Sequence, residues 1–247
     1  MTDAQLPREW DAPAYDTLNA PMNERGNDAV GRLELRGDET VLDAGCGTGQ
    51  VTATLLDRLP RGRVVGLDGS EAMLAAARER FAGDPRVSFL HADLQAPLPL
   101  AEPVDAIVST STLHWIRDHD ALWEYLAAVL RPGGQLVVDC GGAGNIAAVL
   151  RTLEQLGHPD HPWTYAGIEE TERRLAAAGF ASADVRLVPR VSRMEPDELR
   201  RFLTTVVLRT HVDALGPAAG AELVEAVAER LPDGELHWVR LEIVARR

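Results

Sequence analysis

Short apolar runs alternate along most of this chain with stretches whose apolar positions recur at helical spacing. After a polar start, residues 23–35 have the spacing of a helix, and the period then switches to strand followed by helix. Residues 40–43 form a predicted buried strand, 50–59 a helix, 63–68 a strand, and 70–81 a helix opened by a Ser cap. Strands follow at 87–91 and 104–109, then a helix at 118–130 that Arg131-Pro132-Gly133-Gly134 ends, then a strand at 135–140. The last third predicts helix at 169–179, strand at 183–191, helices at 196–210 and 218–231, and a strand at 235–245. Such alternation requires right-handed crossovers, so an α/β fold with a doubly wound, mostly parallel sheet covered on both faces is expected. The helical excursion at about 192–233, lying between two late strands, is expected to cap the carboxyl edge of that sheet.

Composition narrows the chemistry. At 247 residues the chain can bury a sizeable core, which suits one doubly wound domain with a cap. Acidic residues number 38 against 25 basic ones, a formal net charge of -13, so nucleic acid and anionic membrane surfaces are repelled on average and neither is an expected partner. Every basic residue is arginine, which removes the phosphate-loop lysine and lysine Schiff-base chemistry. Cys46 and Cys140 stand far apart without metal-ligand spacing, and His158-Pro159-Asp160-His161 is polar loop material without further clustered ligands. Neither a disulfide scaffold nor a metal site is expected. The chain opens without a positive segment leading into an apolar run, and no window reaches the ~18 apolar residues of a membrane span, so a soluble cytoplasmic protein is expected.

Candidate chemistry gathers at the strand ends. Val41-Leu42-Asp43-Ala44-Gly45-Cys46-Gly47-Thr48-Gly49 carries an apolar strand through alternating glycines into a helix, so backbone can approach a ligand closely beside free N–H groups. The spacing is GxGxG rather than the GxGxxG of dinucleotide dehydrogenases, and Asp43 would accept from a ligand ammonium but repel a pyrophosphate. Asp68 ends the second strand, where a carboxylate can accept from two ribose hydroxyls. Met73 offers a soft side chain for an adenine face or, equally, for core packing. Asp93, in His91-Ala92-Asp93-Leu94, ends the third strand, where it can accept from an amino group beside the Leu94 N–H. Three acids in order at one edge of a parallel sheet mark a ligand site.

In combination DAGCGTG, VVGLDGSEAML, HADL, VDAIVSTSTLHWI and LRPGGQLVV resemble the class I S-adenosylmethionine (SAM)-dependent methyltransferases over residues 40–140. Trp10-Asp11-Ala12-Pro13-Ala14-Tyr15 and the LHWI segment are similar to the trans-aconitate methyltransferase-like group of that class. The resemblance implies a Rossmann-like seven-stranded sheet, SAM as cofactor and S-adenosylhomocysteine (SAH) as product. It also implies that Asp43, Gly45 and Gly47 hold the methionine end, Asp68 with neighbouring Gly69 the ribose, Asp93 and Leu94 the adenine, and Ser109 a backbone contact. Residues 1–36 are then an N-terminal helix and lid, in which Tyr15 either closes over the cofactor or, equally, serves as a simple structural staple. Residues 37–142 are the SAM-binding core, and 143–247 complete the sheet and supply the cap.

A sulfonium methyl is already activated, so alignment of a small-molecule acceptor and exclusion of water are the main tasks. A carboxylate acceptor needs no base, whereas a phenol, amine or carbon acid is helped by one. His114 is the candidate base, because the segment after the fourth strand faces the methyl and imidazole titrates near neutrality; packing beside Trp115 is the competing reading. Arg190, Arg193, Arg200, Arg201 and Arg209 in the cap either clamp a polycarboxylate or, as arginines at such spacings more often do, form a solvated helix face; beside them Phe202, Val206, Val207 and Leu208 suit an apolar acceptor. O-methylation of a carboxylate leads, with C- or N-methylation of a secondary metabolite as the alternative. An NAD(P)-linked oxidoreductase or a non-catalytic SAM-fold binding protein are the readings from other classes.

Overall fold

In a computed structural model the described residues are Trp10, Ala12 and 20–247. Helix α1 (Ala20–Gly31) precedes a repeating strand and helix series: β1 (Thr40–Ala44), α2 (Gln50–Arg58), β2 (Arg63–Asp68), α3 (Glu71–Arg80), β3 (Val87–His91), β4 (Val104–Thr110), α4 (His119–Val129) and β5 (Leu130–Gly141). Helices α5 (Ala147–Gln155) and α6 (Ile168–Ala177) lead to β6 (Ser182–Arg193). Helices α7 (Pro196–Phe202), α8 (Arg209–Leu215) and α9 (Pro217–Ala228) follow before β7 (Glu235–Arg246) closes the fold. The seven strands form one sheet in the order β3-β2-β1-β4-β5-β7-β6. Strands β1 to β5 pair in parallel, and β7 runs antiparallel to both β5 and β6.

Sheet and helices assemble for reasons visible in the residues. Val41, Leu42, Val64, Leu67, Ile107 and Val108 are wholly buried, as central parallel strands covered on both faces must be. Leu122, Trp123 and Leu126 of α4 pack with one set of sheet residues, while Ala29 and Val30 of α1 and Leu55 and Leu56 of α2 pack with another. Each such buried leucine contributes about 1.5–3 kcal/mol relative to its exposed state. Ser70 caps α3 by accepting from Met73 N at 3.3 Å, and Asp118 caps α4 by accepting from Ala121 N at 3.0 Å.

Three local expectations change. Helix α5 was absent from the hydrophobic reading; its nine residues bury Val149, Thr152 and Leu153 along a single stripe. Arg131-Pro132-Gly133-Gly134 does not lie before the strand but forms a bulge within it. Val104 pairs with Leu130 and Ala106 with Gln135, and Gly133 and Gly134 exchange backbone hydrogen bonds with Arg247. The single helix expected at 196–210 breaks into α7, a π turn at Leu203–Val207, and α8. Thr204 Oγ1 donates back to Arg200 O at 2.8 Å and Leu208 N reaches Leu203 O at 2.6 Å, so the threonine-valine run loosens the ladder by one residue.

Candidate active site

The carboxyl ends of β1, β2, β4 and β5 open onto a cavity of about 1230 Å³ that the segment 157–165 and the α7–α8 region close from the other side. Its first wall is the glycine turn. Gly45 N and Cys46 N both donate to Leu67 O, at 2.7 and 3.0 Å, which folds the turn back over β2. Gly45 has φ +81°, and a Cβ there would sit 2.2 Å from Thr112 Oγ1, so only glycine lets the turn lie against the end of β4. At Gly47 the equivalent position meets nothing within 4 Å and the residue borders the cavity, leaving room for a ligand.

Asp68 joins that turn to α3: its Oδ2 accepts from Gly47 N at 2.8 Å and its Oδ1 from Ser70 N at 2.9 Å. The residue borders the cavity with Gly69, Met73, Asp93 and Leu94. Asp93 Oδ1 accepts from Gln95 N at 2.9 Å, while Gly69 O accepts from His91 Nε2 at 3.0 Å. Asp43 and Ser109 lie behind this wall. Asp43 is 1% exposed and accepts from Thr52 Oγ1 at 2.7 Å; burial, more than nearby Asp68, pushes its carboxyl up to about 7. Ser109 is wholly buried and its hydroxyl donates to Ala44 O at 2.7 Å. Tyr15 lies outside the described residues. Trp10, whose N approaches Ser70 Oγ at 3.5 Å, meets Trp115 edge to face with ring centroids 5.2 Å apart.

His114 borders the cavity but is nearly buried, and its Nδ1 accepts from Gly141 N at 3.3 Å. A backbone N–H can only donate, so Nδ1 is unprotonated and Nε2 carries the hydrogen. Burial, reinforced by the Arg240 charge, holds the ring's pKa well below 6.5. His114 is therefore a neutral donor toward the cavity rather than a poised base. Beneath it, Arg240 of β7 is 2% exposed and grips Asp139 of β5 through Nε at 2.8 Å and Nη2 at 2.6 Å; Nη2 also reaches Ser111 Oγ at 3.2 Å. Ser111 holds a left-handed φ of 52°, a strain that its N–H to Asp139 O bond of 2.7 Å helps to fix.

Residues 41–134 match the family profile described as a methyltransferase domain. Residues 41–134 carry a methyltransferase domain. The chain is 40% identical over 129 residues to a trans-aconitate 2-methyltransferase of Azoarcus sp., covering 52% of this chain and 49% of that protein. It is 35% identical over 130 residues to another from Acidovorax ebreus, covering 53% and 49%. The chain thus matches about half the length of these curated relatives. The fold of the methyltransferase domain and its cap superposes on the YcgJ protein of Bacillus subtilis with a TM-score of 0.67 at 16% identity, over 91% of this chain and 98% of that one. Against Haemonchus contortus phosphoethanolamine N-methyltransferase 2, crystallised with phosphomonomethylethanolamine and SAH, the TM-score is 0.62 at 19% identity, over 95% and 56%.

Beyond the glycine turn of the methyltransferase domain, the cap arginines do not line the cavity. Arg200 is held by Glu225, Arg209 by Asp213, Arg193 by Glu235, and Arg190 lies 3.5 Å from Glu242. Arg240 and Ser111 were missed. Their signal was an arginine on the same strand phase as Leu236 and Trp238, and an aspartate inside the apolar run Leu136-Val137-Val138-Asp139-Cys140. Among the described residues no group of three or more His, Cys, Asp or Glu side chains is placed to hold a metal ion, and no helix is long and apolar enough to cross a membrane.

The state of His114 has a measurable sign. Its native pKa is depressed, so the unfolded chain takes up a proton near 6.5 that the native one refuses, and this residue lowers stability as pH falls below that value. Nitrogen-15 spectra of the imidazole should show the neutral Nε2–H form predominating at pH 6.5, where an unshifted imidazole is about half protonated. An imidazolium at pH 6.5 would restore the candidate base.

Proposed function

We propose that this chain transfers a methyl group from SAM to a carboxylate oxygen of a small molecule, with the core at 37–142 holding the cofactor and the cap at about 192–233 covering the acceptor. The residues at the strand ends suit the cofactor: an open glycine turn for the methionine end, Asp68 for ribose hydroxyls, and Met73 and Leu94 with Asp93 for adenine. When bound, SAM supplies an electrophilic methyl: as the acceptor's C–O bond forms, the methyl–sulfur bond breaks, its electron pair stays on sulfur, and a methyl ester and SAH result. One observation carries the choice of acceptor. His114 has its Nδ1 committed to Gly141, so it donates a hydrogen rather than removing one, and a carboxylate is the acceptor that needs none removed. The names of the curated relatives support the same reaction type. Net charge -13 favours a small acceptor over nucleic acid, and two buried free cysteines suit a reducing compartment such as the cytoplasm.

Incubation with methyl-labelled SAM and a panel of organic acids, phenols and amines tests this. Label should enter the acids as esters that mild base releases. Label stable to base would establish methylation of a phenol oxygen, a nitrogen or a carbon instead, and stabilisation by NADH but not by SAH would replace the cofactor.

A further inference from the structure

Resting on that methyl-transfer reading, we infer that the acceptor is a monocarboxylic acid with a flat, apolar body, bound carboxylate-first at Arg240, and not a small polycarboxylate. The cavity exceeds the ~300–1,000 Å³ of a site for one drug-sized ligand, so it holds the cofactor and leaves space well beyond a short-chain acid. The walls of that space are aromatic. Trp163 and Tyr165 stack at 6.0 Å and 11°, Tyr165 stacks on His114 at 5.9 Å, and Trp115 meets Trp163 edge-on at 5.8 Å. Val206 and Val207, presented by the π turn, extend the apolar lining. Rings of this kind offer offset stacking and edge contacts to another flat ring.

The fixed charges point the same way. Among the described residues, the side chains bordering the cavity include two arginines, Arg117 and Arg240, against four acids, Asp68, Asp93, Asp160 and Asp213. Arg117 is exposed at the rim. Arg240 is the one buried arginine among the described residues, and Asp139 already offsets its charge. A polycarboxylate would bring several negative charges to a chamber that has one donor fork for them, leaving the rest desolvated without partners, which is costly. One carboxylate fits. Nη1 of Arg240 makes no hydrogen bond to the described residues, although the side chain is almost wholly buried and borders the cavity. Asp139 and Ser111 hold the other guanidinium nitrogens, so the fork is oriented before any ligand arrives. The position suits transfer as well: Thr112, next to Ser111, donates from Oγ1 to Gly45 O at 3.3 Å, which puts this donor beside the glycine turn.

Calorimetric titrations of the full chain, with and without SAH, should compare 1-naphthylacetate, its amide 1-naphthylacetamide and trans-aconitate. The naphthyl acid is expected to bind roughly 10–100-fold more tightly than its amide, the size of one charge-assisted contact, and at least about tenfold more tightly than trans-aconitate. Equal affinity for acid and amide, or preference for trans-aconitate, overturns the inference. In Arg240→Met combined with Asp139→Leu, which removes both charges together, the preference for acid over amide should fall to within about threefold, with circular dichroism reporting the fold. A folded double variant that keeps the full preference also overturns it, and if this variant fails to fold the wild-type ligand series still decides. A wild-type protein that prefers the acid but does not bind SAH would sink the methyltransferase reading and leave the acid site standing.

Discussion

Gly45→Ala should weaken SAH binding by roughly 30-fold to 1,000-fold, combining the cost of a left-handed alanine with that of an overpacked contact. The residue sits at φ +81°, and the added Cβ would meet Thr112 Oγ1 at 2.2 Å, Cγ2 at 2.3 Å and Cβ at 2.7 Å. Thr112 has little freedom to retreat, because its hydroxyl donates to Thr110 O at 2.9 Å and to Gly45 O. The turn must therefore lift from β4, and Cys46 and Gly47, which border the cavity, move with it. Gly133→Ala is the control. It carries the same backbone strain at φ +79° with nothing within 4 Å and no part in the cavity, so it should lower stability by about 1 kcal/mol and leave SAH affinity alone. Titration of both variants with SAH decides the matter: unchanged affinity in Gly45→Ala would remove the glycine turn from the cofactor site.

Asp139→Ala should cost about 3–5 kcal/mol of unfolding free energy in urea, the largest stability effect expected here. Arg240 and Asp139 are 2% and 3% exposed, so removing the carboxylate strands a guanidinium in the core beside a strained Ser111. The pair itself contributes little net stability, because desolvation of both charges opposes their attraction. Replacing both by apolar side chains should accordingly recover most of the loss. A loss below about 1 kcal/mol in Asp139→Ala would mean that water reaches Arg240 and that the site is wetter than its burial implies.

Much of the cavity wall at the strand ends was legible because it is local. β2 and β3 match their expected bounds, and Asp68, Asp93 and Leu94 border one cavity with Gly45 and Gly47, as their order along the chain implied. The wall facing it was not. The cap arginines looked like clamps, yet Arg200 faces Glu225, which is 25 residues away in sequence and invisible to a helical period. His114 looked like a base because imidazole titrates near neutrality; its Nδ1 bond to Gly141, 27 residues on, reverses that role.

The sequence by itself determined the alternation of strand and helix, the glycine turn and the acids at successive strand ends, since these follow from side-chain period and from backbone conformations that neighbouring residues impose. Tertiary structure alone decided which buried charges reach the cavity. Gly141 pairs with Arg240 and Asp139 with Glu242 across the antiparallel β5–β7 ladder, and that register brings Arg240 to Asp139, 101 residues distant, at the end of β4. The physical reason is that a charge in an apolar strand states only that a partner is needed; which partner it finds, and which nitrogen is left for a ligand, is set by how strands far apart in the chain align.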